Sequence, residues 1–419
     1  MPASDTEPGP GDGAAPPPAL GYPTERTCPF SPPPAFARLR EQPGLPAVEA
    51  LEGGRPWLVT RYADARAVLG SPAFSARFDT PGFPLMSPSD VQQRDDRTES
   101  LIRTDDPEHL RQRRRLTRDF TVKRIAALRP EIQGVVDGAL DELLAHDGSA
   151  DLIATVALPI PSRVICLLLG VPYADHGFFQ RAAARALAGD SSPDEVRTAL
   201  GELGDYLAAL VREKVRDPQD DILSRLATAY LVPGEIDERE MVTIAMTLLV
   251  AGFETTGNMI GLGTALFLTH PEQRALFTAG DEQLQRNAVE ELLRYLSIAH
   301  HPRQFAATED VTVGGHTVRA GEGVLTSLPA VNRDADAFDD PDTFDITRPA
   351  QQHLAFSYGT HQCLGQALAR MELLLYFRTL FARVPSLRLL DAPEDFDLKQ
   401  RSRAHGFRSL SVAWQEDAR

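Results

Sequence analysis

The sequence predicts a mainly α-helical fold with small β-sheets. Three observations point to it. Helical periodicity dominates from Pro107 to about Arg303. Inside that stretch, Asp237 to about Thr269 keeps one pattern long enough, at ~1.5 Å per residue, to cross a globule of this size. Strand-like segments are short, lie outside the helical stretch, and form no internal repeat.

Residues 1–26 are rich in proline, glycine and alanine, with Pro16-Pro17-Pro18, and cannot bury a core. They are expected to form a disordered arm, with residues 27–419 globular. Trp57-Leu58-Val59-Thr60 reads as a strand and Ala63 to Leu69 as a helix. Phe78 to Arg97 contains Pro81, Gly82, Pro84 and Pro88 and reads as a long loop. The run from Asp106 starts a helix on which His109, Arg113, Leu116 and Phe120 share one face. Arg111, Arg114, Arg115 and Arg118 share the other. Asp237 caps the long helix, with Glu240 placed to complete a capping box, and Pro271 bars its continuation. Ile244 to Val250 is apolar apart from Thr247, which implies burial. Glu291 and Arg294 stand three apart on one helical face. Glu309 to Val324 is strand-like, with Gly314-Gly315 as a hairpin turn. Ala335 to Pro349 is dense in Asp and Pro and reads as an irregular meander without calcium-loop spacing. Leu364, Ala367, Leu368, Met371, Leu374 and Leu375 fall at helical spacing, and Leu398 to Trp414 reads as a final hairpin.

The 419 residues are 42% hydrophobic, and 43 basic against 59 acidic residues give a formal net charge of -16. That balance excludes nonspecific nucleic-acid binding. Cys28, Cys166 and Cys363 are too scattered for a disulfide framework and suit a reducing cytoplasm. Cys166 sits in the apolar run Val164 to Leu169 and reads as inert packing. No stretch approaches the ~20 apolar residues of a membrane span. The N-terminus lacks the basic start and apolar core of a secretory signal. A soluble protein is expected.

Cys363 stands in Phe356-Ser357-Tyr358-Gly359-Thr360-His361-Gln362-Cys363-Leu364-Gly365. Gly359 permits a tight turn, and backbone N–H groups with a following helix N-terminus can hold a thiolate. Gly365 leaves room for a flat macrocycle, and Phe356 is expected beneath the sulfur. The arrangement suits a thiolate as axial ligand of a haem iron, which favours O–O cleavage. Zinc is disfavoured, since no second cysteine lies nearby. A bulky buried cofactor would also hold a chain of this length as one unit. In the long helix, Ala251-Gly252-Phe253-Glu254-Thr255-Thr256 puts a carboxylate and hydroxyls into a buried setting. Gly252 lowers helix stability and Thr255 can bond the carbonyl of Ala251, together opening a groove for dioxygen. There Thr255 would donate a hydrogen bond to the oxygen and Glu254 would relay protons. The structural alternatives are a packed cysteine and a helix kink with satisfied threonines.

Phe-x-x-Gly-x-His-x-Cys-x-Gly resembles the haem-binding signature of the cytochromes P450. The run His353 to Arg370 is similar to that of soluble bacterial members. The resemblance covers about Cys28 to Trp414 and implies the cytochrome P450 fold, with residues 27–419 one haem-containing catalytic domain. It implies haem b (iron protoporphyrin IX) with Cys363 as the thiolate ligand of the metal, and Phe356, Gly365 and Ala251 against the cofactor. Glu254 and Thr255 match the family's acid–alcohol pair. Glu291, Arg294 and Arg348 match a buried network that shapes the cysteine loop. His109 and Arg113 face the haem propionates, as does His361. Relatives usually carry a propionate arginine at the position of Phe305. Here Arg303, two residues earlier on the same strand face, is assigned to that role. Two further departures are Ser357, where many relatives have glycine and which is expected to be tolerated, and Arg115, in place of leucine.

The expected activity is that of a monooxygenase. Two electrons come from a ferredoxin and its NAD(P)H-fed reductase, O2 is activated, and one oxygen atom enters an apolar small molecule. That molecule is a polyketide, terpenoid or other secondary metabolite, which can also carry a polar group. The face with Arg111, Arg114, Arg115 and Arg118 is read as the donor's docking patch. The pocket is expected to include Phe78 to Met86, Leu248, Ala251, Ile298 to His300 and Arg403 to Phe407. The alternatives are another oxidation on the same iron, a peroxide-using haem–thiolate enzyme, which the Glu254–Thr255 pair opposes, and a non-enzymatic haem sensor. A monomer free of membrane and nucleic acid is expected.

Overall fold

The computed structural model of the chain describes residues 20–95, 100–187, 191–399 and 402–414. Its axis is the helix Glu238–Thr269, whose 32 residues span about 48 Å. Asp237 caps it by accepting from the Glu240 N–H at 2.7 Å. The second half of the expected capping box is replaced, because the Glu240 carboxylate pairs with Arg115. Pro271 keeps His270 out of the helical region, at φ −126° and ψ 72°, and ends the helix. The helix runs unbroken through Ala251 to Thr256, so Gly252 opens no interruption there. A Cβ at Gly252 would come within 2.7 Å of Ile165, so its role is close packing on the helix Pro159–Leu169.

One large apolar cluster surrounds this axis. It joins the helices Arg129–Leu144, Pro159–Leu169, Pro193–Arg216, Glu282–Leu296 and Gln366–Arg383. At its centre Phe267 meets Phe277, Phe344, Phe377 and Phe381 with ring centroids 5.2 to 5.6 Å apart. Edge-to-face and tilted contacts of this kind stabilise beyond the area they bury.

The largest sheet has four strands in the order Trp57–Val59, Gly323–Thr326, Arg303–Ala307, Phe74–Ser75. The first pairing is parallel and the other two are antiparallel. Gly314 and Gly315, at φ +56° and +76°, turn the hairpin Val311–Val313/His316–Val318. The meander 335–349 contains neither helix nor strand.

Three expectations change. The loop from Phe78 contains the helix Pro88–Asp95, and its end at Arg97 lies outside the described residues. Leu398 does bridge Phe407, but Ser411–Ala413 pairs with Ser149–Asp151 and Arg388–Leu389, so the C-terminal hairpin is split between two partners. Of the expected arm, residues 1–19 lie outside the described residues. Leu20–Gly21 pairs with Val48–Glu49, and the Tyr22 hydroxyl donates to the His300 carbonyl at 3.1 Å, so residues 20–26 belong to the fold. Among the described residues no helix is long and apolar enough to cross a membrane.

Candidate active site

The cysteine loop is set by its backbone. The Cys363 N–H donates to the Phe356 carbonyl at 2.9 Å and Gln362 N–H to Gly359 O at 3.1 Å. Gly359 has φ +71°, and a Cβ there would lie 2.3 Å from the Leu69 carbonyl, so both conformation and space demand glycine. Ser357 also takes a left-handed φ, +63°, and its buried hydroxyl has no hydrogen-bond partner among the described residues. Burial pushes the Cys363 thiol pKa up. The Gly365 N–H and the cations of Arg303, Arg113 and Arg370 act against that rise.

Two buried networks hold the loop against the core. Glu291 and Arg294, both fully buried, make a bidentate pair at 2.7 and 2.8 Å. Arg348 adds a contact to Glu291 at 3.3 Å and donates to the Asp340 carbonyl, so the meander joins the pair. The second network was not anticipated. Glu290 takes Arg370 at 2.6 and 2.9 Å and His353 Nε2 at 3.1 Å. Burial raises the Glu290 carboxyl, but the hydrogen bonds from His353 and Arg370 outweigh it and hold the pKa down to about 2. The Arg370 guanidinium lies 4.6 Å from the centre of the Phe356 ring, so Phe356 is clamped from the helix that follows the cysteine.

Around the sulfur, basic groups converge with few anions to match: His109 Nδ1 lies 3.4 Å from Asp106 Oδ1, while the Arg113 and Arg303 guanidinium groups meet no carboxylate among the described residues. The His109 and His361 rings are 4.4 Å apart. Neither His109 Nε2 nor His361 Nδ1 has a hydrogen-bond partner among the described residues. Burial and then the neighbouring His109, Arg303, Arg103 and Arg113 push His361 down to about 3. The Arg113 side chain donates to the Thr360 carbonyl at 3.3 Å, and the Arg303 side chain makes no hydrogen bond or ion pair with the described residues. Such a set is costly unless negative charge enters it.

The long helix faces the same space. From Phe253 to Phe267 every residue is buried except Thr255. Ala251, one turn before it, is likewise exposed, although both lie at the middle of the molecule's longest helix. Cys363 and Gly365 keep accessible surface too, and a Cβ at Gly365 would meet nothing within 4 Å. Ala251 and Thr255 therefore open one face of an otherwise buried helix, and Cys363 and Gly365 are the accessible positions of the cysteine loop. The Thr255 hydroxyl donates to the Ala251 carbonyl at 2.8 Å, which leaves its oxygen lone pairs for the open face. Glu254 points elsewhere. It is buried against Lys399, whose Nζ lies 3.3 Å from Oε1 and also donates to Asn258 Oδ1 at 2.9 Å.

Known proteins share this architecture. A family model described as Cytochrome P450 matches residues 193–384. The chain is 45% identical to Cytochrome P450-SU2 of Streptomyces griseolus, over 96% of this chain and 98% of that one. It is 46% identical to the pentalenic acid synthase of Streptomyces avermitilis, over 94% and 97%. The crystal structure of mycinamicin VIII C21 methyl hydroxylase from Micromonospora griseorubida, bound to mycinamicin VIII, superposes with a TM-score of 0.89. It shares 40% identity and covers 94% of this chain and all of that one. The chain belongs to the cytochrome P450 family. This P450 is a monooxygenase that uses haem b with a cysteine thiolate as axial ligand, a redox partner and dioxygen.

The residues present fit that cofactor. Arg113 and Arg303 stand close enough to Cys363 to bear on its thiol, and neither guanidinium has a carboxylate partner among the described residues, as two propionates require. The P450 places its other expected residues differently. His300 Nδ1 meets Arg26 Nη2 at 3.4 Å, His405 Nε2 donates to the Pro29 carbonyl at 2.7 Å, and Arg403 lies 3.0 Å from Asp90. All three polar groups expected at the substrate already have protein partners. Arg115 is also withdrawn from the basic face. It is buried on Glu240 and stacks near Tyr230, and Arg111 pairs with Glu108, while Arg114 and Arg118 stay exposed.

Proposed function

We propose that Cys363 supplies the thiolate and that His109, Arg113, Arg303 and His361 take the two propionates. The observation that carries this is the convergence beside Cys363 of the Arg113 and Arg303 side chains, which meet no carboxylate among the described residues, and of the His109 and His361 rings. Phe356 and Gly365 lie against the cofactor on the thiolate side, and Ala251 on the opposite side. Haem b, when bound, supplies the oxidation, activating dioxygen and passing one oxygen atom to the substrate. Thr255 holds a proton-delivering hydrogen bond in place. Its own proton is committed to Ala251, so its oxygen accepts a donor above the cofactor. Glu254 brings protons in from the Lys399 side.

The substrate is a largely apolar secondary metabolite of polyketide or terpenoid type, hydroxylated or epoxidised. The names of the relatives support that class, and so does the internal pairing of His300, Arg403 and His405, which leaves an apolar lining. The donor is a ferredoxin with its NAD(P)H-dependent reductase. It docks on Arg114 and Arg118 beside the cysteine loop, in the cytoplasm, on a monomeric enzyme. The test is a reconstituted reaction under 18O2, with compounds chosen by their shift of the haem absorption band. Product carrying one labelled oxygen, formed at a rate that falls as salt rises, is expected. Equal turnover on hydrogen peroxide without a donor, or reduction insensitive to salt, would contradict this reading.

A further inference from the structure

The loop from Phe78, the residues after Ile298 and the turn from Arg403 meet at one carboxylate. Asp90, on the helix Pro88–Asp95, is fully buried. The Met86 N–H donates to its Oδ2 at 3.0 Å and ties down the end of the loop. Gln304 Nε2 donates to the same oxygen at 3.0 Å, and His301 Nε2 lies 3.2 Å from it. Arg403 Nη1 lies 3.0 Å and Arg103 Nη2 3.7 Å from Oδ1. The Arg103 guanidinium also lies over the Phe78 ring, 4.6 Å from its centre. Charge does not balance in this cluster. Two guanidinium groups share one carboxylate, and burial followed by Arg403 pushes His301 down, so the imidazole brings no charge at neutral pH. The His301 N–H donates to the Arg403 carbonyl at 3.0 Å, which sets Arg403 beside the strand that carries Arg303. The Arg403 side chain is 20% accessible, while Asp90 has no exposed side-chain surface.

We propose that Asp90 is a positioning residue that sets substrate specificity: it engages Arg403 and Arg103, so the enzyme selects neutral apolar molecules against acidic ones. An ionised acid brought to this site gives up water, finds both guanidinium groups occupied and meets the charge of Asp90. An ester of the same shape bears neither cost. Without Asp90, two buried cations lack an anion, and a carboxylate on the ligand is the group that supplies one. Asp90 acts through Arg403, the partially accessible member of the cluster. This deepens the reading of the substrate as largely apolar and rests on it.

The test compares dodecanoic acid, ionised in mildly alkaline buffer, with its methyl ester. Holoprotein is loaded with 4-phenylimidazole, which shifts the haem band, and the dissociation constant of each probe is read from its displacement. The parent should bind the ester about tenfold more tightly than the acid. Asp90→Asn should tighten acid binding about tenfold and leave the ester within about twofold, and adding Arg403→Gln should abolish the gain. Where Asp90→Asn alone does not retain haem, Asp90→Asn with Arg103→Gln keeps the net buried charge of the parent, leaves Arg403 without a carboxylate, and should show the same gain. Arg403→Gln with Asp90 intact should leave acid binding within about twofold of the parent. A folded variant lacking Asp90 whose acid-to-ester ratio stays at the parent value makes Asp90 a structural clamp and overturns the proposal, while the apolar substrate reading stands. Loss of acid binding in Arg403→Gln alone would show that Arg403 already serves the ligand and overturns it too. A parent that binds the acid as tightly as the ester overturns the apolar reading and this proposal with it.

Discussion

At the scale of single residues, the cysteine loop carries an identifiable weakness. The sequence marks Ser357 as a small replacement for glycine that the fold should tolerate. The backbone shows what tolerating it involves, a left-handed φ of +63° for a residue with a Cβ, and a buried hydroxyl with no partner. A left-handed conformation costs an L-residue roughly 1–2 kcal/mol, and the unsatisfied hydroxyl adds to that. Ser357→Gly is therefore expected to stabilise the holoprotein by about 1 kcal/mol, after allowing for the extra freedom glycine gains in the unfolded chain. A urea midpoint that rises with an unchanged haem spectrum would bear this out. A midpoint that falls would show that the Ser357 hydroxyl has a partner in the holoprotein.

At the scale of elements, the N-terminal strap is held by histidines that must stay neutral. Burial and the nearby Arg26 and His301 lower His300 to about 3. Burial and Arg26 keep His405 well below its ordinary value, with His300 and Lys399 adding to the effect and the hydrogen bond to the Pro29 carbonyl opposing it. The unfolded chain takes up these protons below about pH 6.5 and the folded chain does not, so stability is full above that pH and falls as pH drops toward 3. The urea midpoint should be lower at pH 5.5 than at pH 7.5, and His300→Gln and His405→Gln should each reduce the difference. Equal midpoints at the two pH values would mean that the strap does not depend on neutral imidazoles. This strap was also the least legible part of the fold. Tyr22 and Arg26 sit at the end of a proline-rich stretch whose composition says nothing of their contacts with His300, or of that between Pro29 and His405, far away in sequence. The long helix was legible because its cap, period and terminator are local. The pairing of Ser411–Ala413 was not, because its strand partners at residues 149–151 and 388–389 compete with a nearby turn that looks sufficient.

At the scale of the whole molecule, the fold is a mainly helical shell around a candidate site whose parts come from positions more than a hundred residues apart. The residues proposed to hold the cofactor could be read from local patterns: Cys363 and its turn, Thr255 and its neighbours, and the face of His109 and Arg113. The supports could not. Glu290 with Arg370 and His353, and Glu254 with Lys399 and Asn258, are pairings across the tertiary structure that no local spacing encodes. Charge follows the same division, since an acidic chain places the Arg113 and Arg303 guanidinium groups, without a carboxylate partner among the described residues, near Cys363. The central claim is that this sulfur is the iron ligand. It is tested most directly by the carbon-monoxide difference spectrum of reduced Cys363→Ser holoprotein beside that of the parent. The parent should show the band typical of thiolate-ligated haem and the variant should lack it, and a variant that keeps the band would place the ligand elsewhere.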